Sequence, residues 1–341
     1  MGTLRHLDFV SGMPVHFFVK PAGISLERAQ TLDPDRDWTD LRRAREVWII
    51  QTWHRLRHAG YTPTMSDEPV NDGIIVYHKE DQRELLRRLP RQSRAVLVGV
   101  RADFRSCDAA DFEVLQNGYY ADQRRSFFVP HWPQPGLIPR DKQRGDRLER
   151  IAFKGYAGNL LAEFRLGQWQ DFLATQGLIF DDDAIMDDSS DHPILTRFHD
   201  YHDVDVVLAV RPGQSTHKPA SKLVNAWHAG VPALLSPDYP FEELRQSPDD
   251  YLAVSSVTEA IAAVNRLLRE PGLYRRMIEQ GFKRAQHYTV ASVTQQWAKL
   301  LYQTIPAQVS RRPQWTWSPI WRGARTFRRK AAQSLGLISR R

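Results

Sequence analysis

The sequence contains a single cysteine, Cys107, among its 341 residues, so no disulfide can form within the chain. It also lacks any apolar run approaching the roughly 18 residues that a membrane-spanning helix needs. The short apolar stretch at 15–19 is interrupted by His16 and does not have the length of a secretion signal. These absences predict a cytoplasmic protein that works in a reducing compartment.

Acidic residues are missing from the C-terminal tail, residues 310–341, which carries nine lysines and arginines. The net charge of the whole chain is +7, so the rest of the protein is close to neutral. A nucleic-acid partner is therefore not expected. Trp315, Trp317 and Trp321 lie among the tail's basic residues, a mixture that suits an anionic membrane surface at the inner face of the membrane. Packing on the first domain, or a solvated extension, are the alternatives.

The chain is about twice the usual length of one domain, and 42% of its residues are apolar. Short strand-like runs alternate with helical patterns, which favours an α/β fold with parallel sheets. A segment rich in proline and charge at 130–147 predicts a stiff linker. We therefore predict a first Rossmann-like domain at 1–140, a second at 141–305 and a tail at 306–341, the two domains being doubly wound and facing each other across a cleft.

The segment KPASKLVNAWHAGVPALL, residues 218–235, predicts a helix that ends at a Gly-X-Pro break before a buried strand. A helix start exposes backbone N–H groups and a partial positive charge, so Lys218, Ser221 and Lys222 together indicate a phosphate site. Arg211, just after the preceding strand, is placed to meet the same anion. An ordinary helix start with solvated lysines is the alternative interpretation.

The same residues resemble the C-terminal domain of GT-B glycosyltransferases, in particular the retaining group of glycogen-synthase-like and sucrose-synthase-like enzymes. The resemblance covers about 150–300. It rests on Pro219, Ser221, Lys222, Ala229, Gly230 and Pro232, and on IAFKGYAGNL at 151–160, which is similar to the strand and glycine loop that open the donor domain.

The resemblance implies a glycosyltransferase that moves a sugar from a nucleoside-diphosphate sugar to a glycan or lipid-linked glycan. Lys222, Arg211 and the helix start would stabilise the leaving diphosphate in place of a metal, and no cofactor is expected. The implied donor-binding residues are Gly155, Gly158, Asn159, Arg211, His217, Lys218, Ser221, Lys222, Asn225 and Glu242. His217 and Asn225 stand where the retaining group has glutamates, so retention and inversion of the anomeric configuration both stay open.

An inverting enzyme needs a general base from the acceptor side, and His78, Asp103 and His131 follow strands of the first domain or begin the linker. Capping or buried polar roles are the alternative for each. Glu242 has the alternative of an acid in the first turn of a helix. The acidic clusters at 181–183 and 187–191 are interpreted as loop caps, and His199 with His202 as a solvated turn, so no metal site is predicted.

Two other functions fit the same pattern. A GT-B-fold sugar-nucleotide epimerase would bind the same donor but would need a paired acid and base in the second domain. A catalytically silent GT-B-like protein would bind a sugar, a nucleotide or a surface without turnover.

Overall fold

The computed structural model describes residues 12–41, 43–104, 106–185 and 198–311, with the backbone alone at 183–185. The chain divides into two compact units. The first unit comprises Met1–Val129 together with Val293–Arg341, and the second comprises Pro130–Ser292. Most of the tail, residues 312–341, and the acidic cluster at 187–191 lie outside the described residues, so the predictions made for them stay predictions.

The first unit is built on a six-stranded parallel sheet with the order β2-β1-β3-β4-β5-β6. Its strands are β1 (Val15–Phe18), β2 (Thr64–Ser66), β3 (Ile74–His78), β4 (Val96–Val100), β5 (Phe112–Leu115) and β6 (Ser126–Phe128). The continuous apolar runs IIVY and VLVGV become the fully buried central strands β3 and β4, as expected for strands covered on both faces.

The helices of the first unit come from both ends of the chain. They are α1 (Leu26–Thr31), α2 (Gln51–His58), α3 (Gln82–Arg88), α9 (Val290–Lys299, which begins three residues before the boundary) and α10 (Ile305–Ser310). A π-helical turn at Glu46–Ile50 leads directly into α2. A second π-helical turn, Leu300–Thr304, joins α9 to α10.

The C-terminal helices belong to the first unit because their aromatic side chains pack there. The indole of Trp297 meets Trp48 edge-on, with ring centroids 6.4 Å apart. Tyr302 stacks on Tyr61 at 4.7 Å. The unit boundaries therefore differ from the predicted domain ranges, since residues 293–305 were assigned to the second domain.

The second unit carries a five-stranded parallel sheet with the order β11-β10-β9-β7-β8. Its strands are β7 (Arg150–Tyr156), β8 (Ile179–Ile185), β9 (Val206–Ala209), β10 (Ala233–Leu235) and β11 (Leu252–Ala253). Its helices are α4 (Gly167–Gln176), α5 (Ser221–Ala229), α6 (Tyr239–Leu244), α7 (Val257–Arg269) and α8 (Pro271–Ala285). The strand predicted at 178–180 is longer than expected and takes in 181–183, which corrects the interpretation of these acids as loop caps.

The segment 130–147, predicted to be a linker, packs onto the second unit. Ile138 forms a β-bridge with Asp200, and the guanidinium of Arg140 donates hydrogen bonds to the buried carboxylate of Asp205 at 3.0 and 2.8 Å. The stiff-linker interpretation was wrong for this part of the chain, because its arginines have buried partners that the local composition could not reveal.

Candidate functional site

The second unit has a topological switch point between β7 and β9. From β7 the chain proceeds to β8 on one side, and then returns to β9 on the other side. In open parallel sheets such a point is where ligands bind, beyond the carboxyl ends of the strands. Ala152 pairs with Val207, and Ala209 pairs with Leu235. Continuing this register places Gly155, Val210 and Ser236 at the same level of the carboxyl edge.

Helix α5 begins at this edge. Ala220 occupies its N-cap position and has no side-chain acceptor to offer, while an α-helix cannot pair the N–H groups of its first turn internally. The helix ends at Gly230, whose φ of 68° is the left-handed conformation that glycine adopts readily. Helix α5 therefore ends at the Gly-X-Pro break that the sequence predicted.

The ammonium group of Lys222 lies against the end of β7. It is 5.6 Å from the ring centroid of Phe153, and a Cβ placed on Gly155 would come within 2.9 Å of Nζ. The glycine thus leaves the space that the Lys222 head occupies. The structure thus brings Lys222, which the sequence assigned to a phosphate site, beside Gly155, a donor-binding residue implied by the resemblance.

Lys154 points to the other face of the sheet. Phe153 and Gly155 face Lys222, and successive side chains of a strand alternate between the two faces. The side chain of Lys154 is 5% exposed, and its Nζ lies 5.3 Å from the ring centroid of Tyr201. Of these two lysines, Lys222 is therefore the one beside Gly155.

Arg211 follows β9 by two residues and is held in place by an acid that the sequence analysis did not assign. Its Nη1 donates a hydrogen bond to the buried carboxylate of Asp238 at 3.1 Å, and its guanidinium lies 5.7 Å from the ring of Phe241. The negative charge of Asp238 offsets the positive charge of Arg211. Arg211 therefore adds less positive potential to the site than its own charge would suggest.

Two of the predicted sugar-binding residues have protein partners. The side-chain oxygen of Asn225, which is buried, accepts a hydrogen bond from the backbone N–H of Gln134 at 3.1 Å. Glu242 lies in the first turn of α6, the alternative position given for it. Its carboxylate accepts a hydrogen bond from the hydroxyl of Tyr251 and is 3.5 Å from Arg245. Burial and the contact with Glu242 raise the pKa of the Tyr251 phenol.

The remaining predicted donor residues lie in two turns at the same edge. Gly158 and Asn159 belong to the single 3-10 turn that follows β7, and the backbone N–H of Leu161 joins this turn to the end of β9 through a 2.8 Å hydrogen bond to Val210. His217 and Lys218 are half-buried in the turn that leads into α5. The backbone N–H of His217 is 3.4 Å from the hydroxyl of Ser215.

Replacing Gly155 with alanine should weaken nucleotide-sugar binding by roughly tenfold, because the added Cβ would displace the Lys222 head by a fraction of an ångström to an ångström. The displaced atom is the end of a flexible side chain, so the unfolding midpoint in urea should change little. Isothermal titration with UDP-sugars measures the effect. Gly272→Ala in α8 of the same unit is the matched control, since a Cβ there makes only an ordinary 3.6 Å contact with Arg276; equal losses in both variants would contradict the expectation.

The general-base candidates of the first unit lie at the ends of adjacent strands. His78 ends β3 and is fully buried, with Nδ1 3.4 Å from the carboxylate of Glu80. Hydrogen bonding with His78, opposed by burial and supported by Arg45, lowers the pKa of Glu80 to about 2. Asp103 is exposed and accepts a hydrogen bond from the side-chain amide of Gln116 at 2.7 Å. Asp103 is therefore the more accessible of the two.

His131, the third base candidate, belongs to the second unit rather than the first. It is half-buried, and its Nδ1 lies 2.7 Å from the carbonyl oxygen of Trp132. A ring nitrogen at that distance from a carbonyl acts as a donor.

Sequence reasoning missed Phe153, and it assigned no role to Ser236 or Asp238. The hydroxyl of Ser236 is buried at the end of β10 and has no hydrogen-bond partner in the described part of the chain. Ser236 and Asp238 do follow a strand, and that position was the available signal. Phe153 carried none, because an inward-facing phenylalanine of a buried strand looks like any other core residue.

Within the described ranges, no group of three or more histidine, cysteine, aspartate or glutamate side chains is arranged to hold a metal ion. None of the helices in these ranges combines the length and apolarity needed to cross a bilayer.

No protein-family model matches the chain, and a sequence comparison with curated proteins finds no match either. Solved structures do match. The two α/β units, each a doubly wound parallel sheet, place the chain in the GT-B fold class. The chain is similar to sucrose-phosphate synthase from Thermosynechococcus elongatus, with 11% identity and a TM-score of 0.54 over 86% of this chain and 100% of that one. It is also similar to HepE from Anabaena in complex with UDP-glucose, with 11% identity and a TM-score of 0.53 over 85% and 99% of the two chains.

The predicted α/β fold with two Rossmann-like units of GT-B type is thus confirmed. At this level of identity the similarity concerns the fold.

Proposed function

We propose that this protein is a glycosyltransferase that transfers a sugar from a nucleoside-diphosphate sugar, with UDP-sugars as the first donors to test. The observation that carries the proposal is the position of Lys222, whose ammonium group lies against Gly155 at the switch point of the second unit. The similar structure of HepE was determined with UDP-glucose, which supports a uridine nucleotide as the leaving group.

The chemistry follows from the charges at this edge. As the bond between the anomeric carbon and the diphosphate breaks, negative charge grows on the diphosphate. Lys222 and the N–H groups at the start of α5 stabilise that charge more in the transition state than in the ground state. Arg211, anchored by Asp238, supports the loop after β9. The proposal needs no metal, so EDTA should leave turnover unchanged.

Equilibrium binding of UDP-, GDP- and ADP-sugars to the full chain, together with donor hydrolysis, tests the proposal. One donor should bind with a dissociation constant at or below about 1 mM, the usual upper end for enzyme substrates. Hydrolysis should release the matching nucleoside diphosphate. The anomeric configuration of a transferred sugar, read by NMR, then decides between retention and inversion. Failure to bind any of the three donors would contradict the proposal.

A second candidate, a GT-B-like protein that binds nucleotide sugars without turnover, is favoured by one specific observation. The Asn225 side chain, at a position where the retaining group has a glutamate, is engaged by the backbone of Gln134. Binding of a donor without hydrolysis, and without transfer to any member of a broad acceptor panel, would support this second function over the first.

A further inference from the structure

Two exposed aromatic side chains lie at the carboxyl edge of the sheet in the first unit. Phe104 follows the end of β4 by four residues and is 39% exposed, while Tyr119 follows the end of β5 by four residues and is 48% exposed. These strands are neighbours in the parallel sheet, so the two loops emerge side by side. This edge is where open α/β sheets bind ligands.

A chain of contacts joins the two loops. The rings of Tyr119 and Tyr120 meet edge-on with centroids 4.6 Å apart. The guanidinium of Arg101 lies 5.1 Å from the ring of Tyr120, and Nε of Arg101 donates a hydrogen bond to the carbonyl of Phe104 at 3.2 Å. The buried Arg101 thus links the two loops, and we call the side chains of Phe104, Tyr119 and Tyr120 above it the aromatic platform.

The backbone beneath the platform is strained. Ala102, between Arg101 and Asp103, has a φ of 46°, a conformation that alanine adopts rarely and at a free-energy penalty. Hydrogen bonds on both sides hold it there, from the N–H of Arg101 to Val114 and from the N–H of Phe104 to Arg101, each 3.0 Å long. Strain of this kind concentrates where a chain presents functional side chains, and here it turns Asp103 and Phe104 toward solvent.

Polar groups accompany the rings. The carboxylate of Asp103 is exposed at the platform and is oriented by Gln116. His78 lies against Phe104, with ring centroids 5.9 Å apart and planes at 77°. Its Nε2 is buried and has no hydrogen-bond partner among the described residues.

We propose that the aromatic platform binds a neutral saccharide. One face of a pyranose ring presents C–H groups that carry a partial positive charge, and the faces of aromatic rings are negative. The hydroxyl groups at the rim of the sugar suit the carboxylate of Asp103. The Lys79 ammonium is 4.0 Å from the carboxylate of Asp108. The exposed carboxylate of Asp103 accepts hydrogen bonds from hydroxyl groups but repels a phosphate, which favours a neutral sugar over a phosphorylated lipid.

The role of this saccharide as the acceptor rests on the transferase activity proposed above, whereas its binding to the platform can be measured without any donor. The test is saturation-transfer NMR and calorimetry of the full chain with neutral oligosaccharides of glucose, galactose, mannose and N-acetylglucosamine. At least one should bind. Phe104→Ala and Tyr119→Ala should each weaken it by roughly tenfold, and Phe104→Trp should retain it.

Leu86→Ala is the matched control, since Leu86 is also 39% exposed and belongs to the same unit; it should bind as the wild type does. Donor hydrolysis should be unchanged in all these variants. The proposal is overturned if no oligosaccharide binds, if Leu86→Ala loses as much affinity as Phe104→Ala, or if anionic lipid vesicles bind through Phe104 and Tyr119 while sugars do not. If a sugar binds through Phe104 and Tyr119 but no donor is turned over, the proposed transferase activity is refuted and the proposed saccharide site is supported.

Discussion

Replacing Lys222 with alanine should lower the rate of nucleotide-sugar turnover by about a hundred- to a thousandfold, the usual effect of removing one group that stabilises charge in a transition state. The ammonium group of Lys222 lies where the start of α5 meets the end of β7, beside Gly155 and Phe153. Among the described residues, Lys222 is the cation in the first turn of α5 that lies at the switch point. Its loss should therefore have a large effect on the proposed reaction. Rate measurements at saturating donor check the effect.

The same substitution should change stability little. A cation in the first turn of a helix opposes the helix dipole, but the Lys222 ammonium group also lies over the ring of Phe153, so its removal should change the free energy of unfolding by less than about 1 kcal/mol in either direction. Lys283→Ala, an exposed lysine of α8 in the same unit, is the matched control and should keep full activity. A Lys222→Ala protein that is as active as the wild type, or inactive only because it unfolds, would refute the proposed role.

Replacing Asp205 with asparagine should destabilise the second unit by about 3–5 kcal/mol, because it leaves buried arginines without a counter-charge. Asp205 is fully buried and precedes β9. Its carboxylate accepts hydrogen bonds from Arg140 and Arg144, at 2.7 to 3.0 Å. The backbone N–H groups of Glu149 and Arg150 also donate to it, each at 2.9 Å. Urea unfolding followed by circular dichroism measures the loss.

Asp205 also links stability to pH. Burial alone would raise its pKa, but the hydrogen bonds from Arg144, from the two backbone N–H groups and from Arg140 outweigh burial and lower the pKa below the ordinary value of 3.8. A carboxylate whose pKa is lower in the folded state stabilises the fold above its unfolded pKa, and this contribution disappears as the pH falls through the folded pKa. The free energy of unfolding of the wild type should therefore fall as the pH is lowered through the folded-state pKa of Asp205. In Asp205→Asn this part of the pH dependence should be absent.

Asp203→Asn is the control for both measurements. Asp203 lies two residues away, is half-buried and is 3.5 Å from Arg150, so its loss should change the free energy of unfolding by less than about 1 kcal/mol. Equal destabilisation by the two substitutions would show that the position in the loop, and not the buried cluster around Asp205, determines the effect.

The parallel sheets were predictable because central strands are buried on both faces and read as continuous apolar runs. IIVY and VLVG stand out between polar stretches, and each became a central strand. The end of α5 was predictable for a similar reason, since Gly230 and Pro232 are local signals of a helix stop. The run of aspartates at 181–183 was misread, because three acids in a row look like a loop unless their pairing with Arg150 and Arg165 is known.

The candidate site was predictable only in part. Lys222 and Ser221 were assigned from their residue types and positions and Gly155 by resemblance, and the structure places the Lys222 ammonium group beside Gly155. Asn225 and Glu242 were assigned by resemblance, and their contacts with Gln134 and Tyr251 are long-range or depend on tertiary packing. The platform of Phe104 and Tyr119 carried no sequence signal, because the exposure of an aromatic residue cannot be read from its neighbours.

The sequence by itself determined the elements: which runs become strands, where α5 starts and stops, and which cations stand at its first turn. Those features depend on residues close together in the chain. Only the tertiary structure decided that Asp238 balances Arg211, that 130–147 packs onto the second unit through Asp205, and that the C-terminal helices pack against Trp48 and Tyr61 of the first unit. These contacts join residues that are distant in sequence, and their free energy depends on burial, which exists only after the chain has folded.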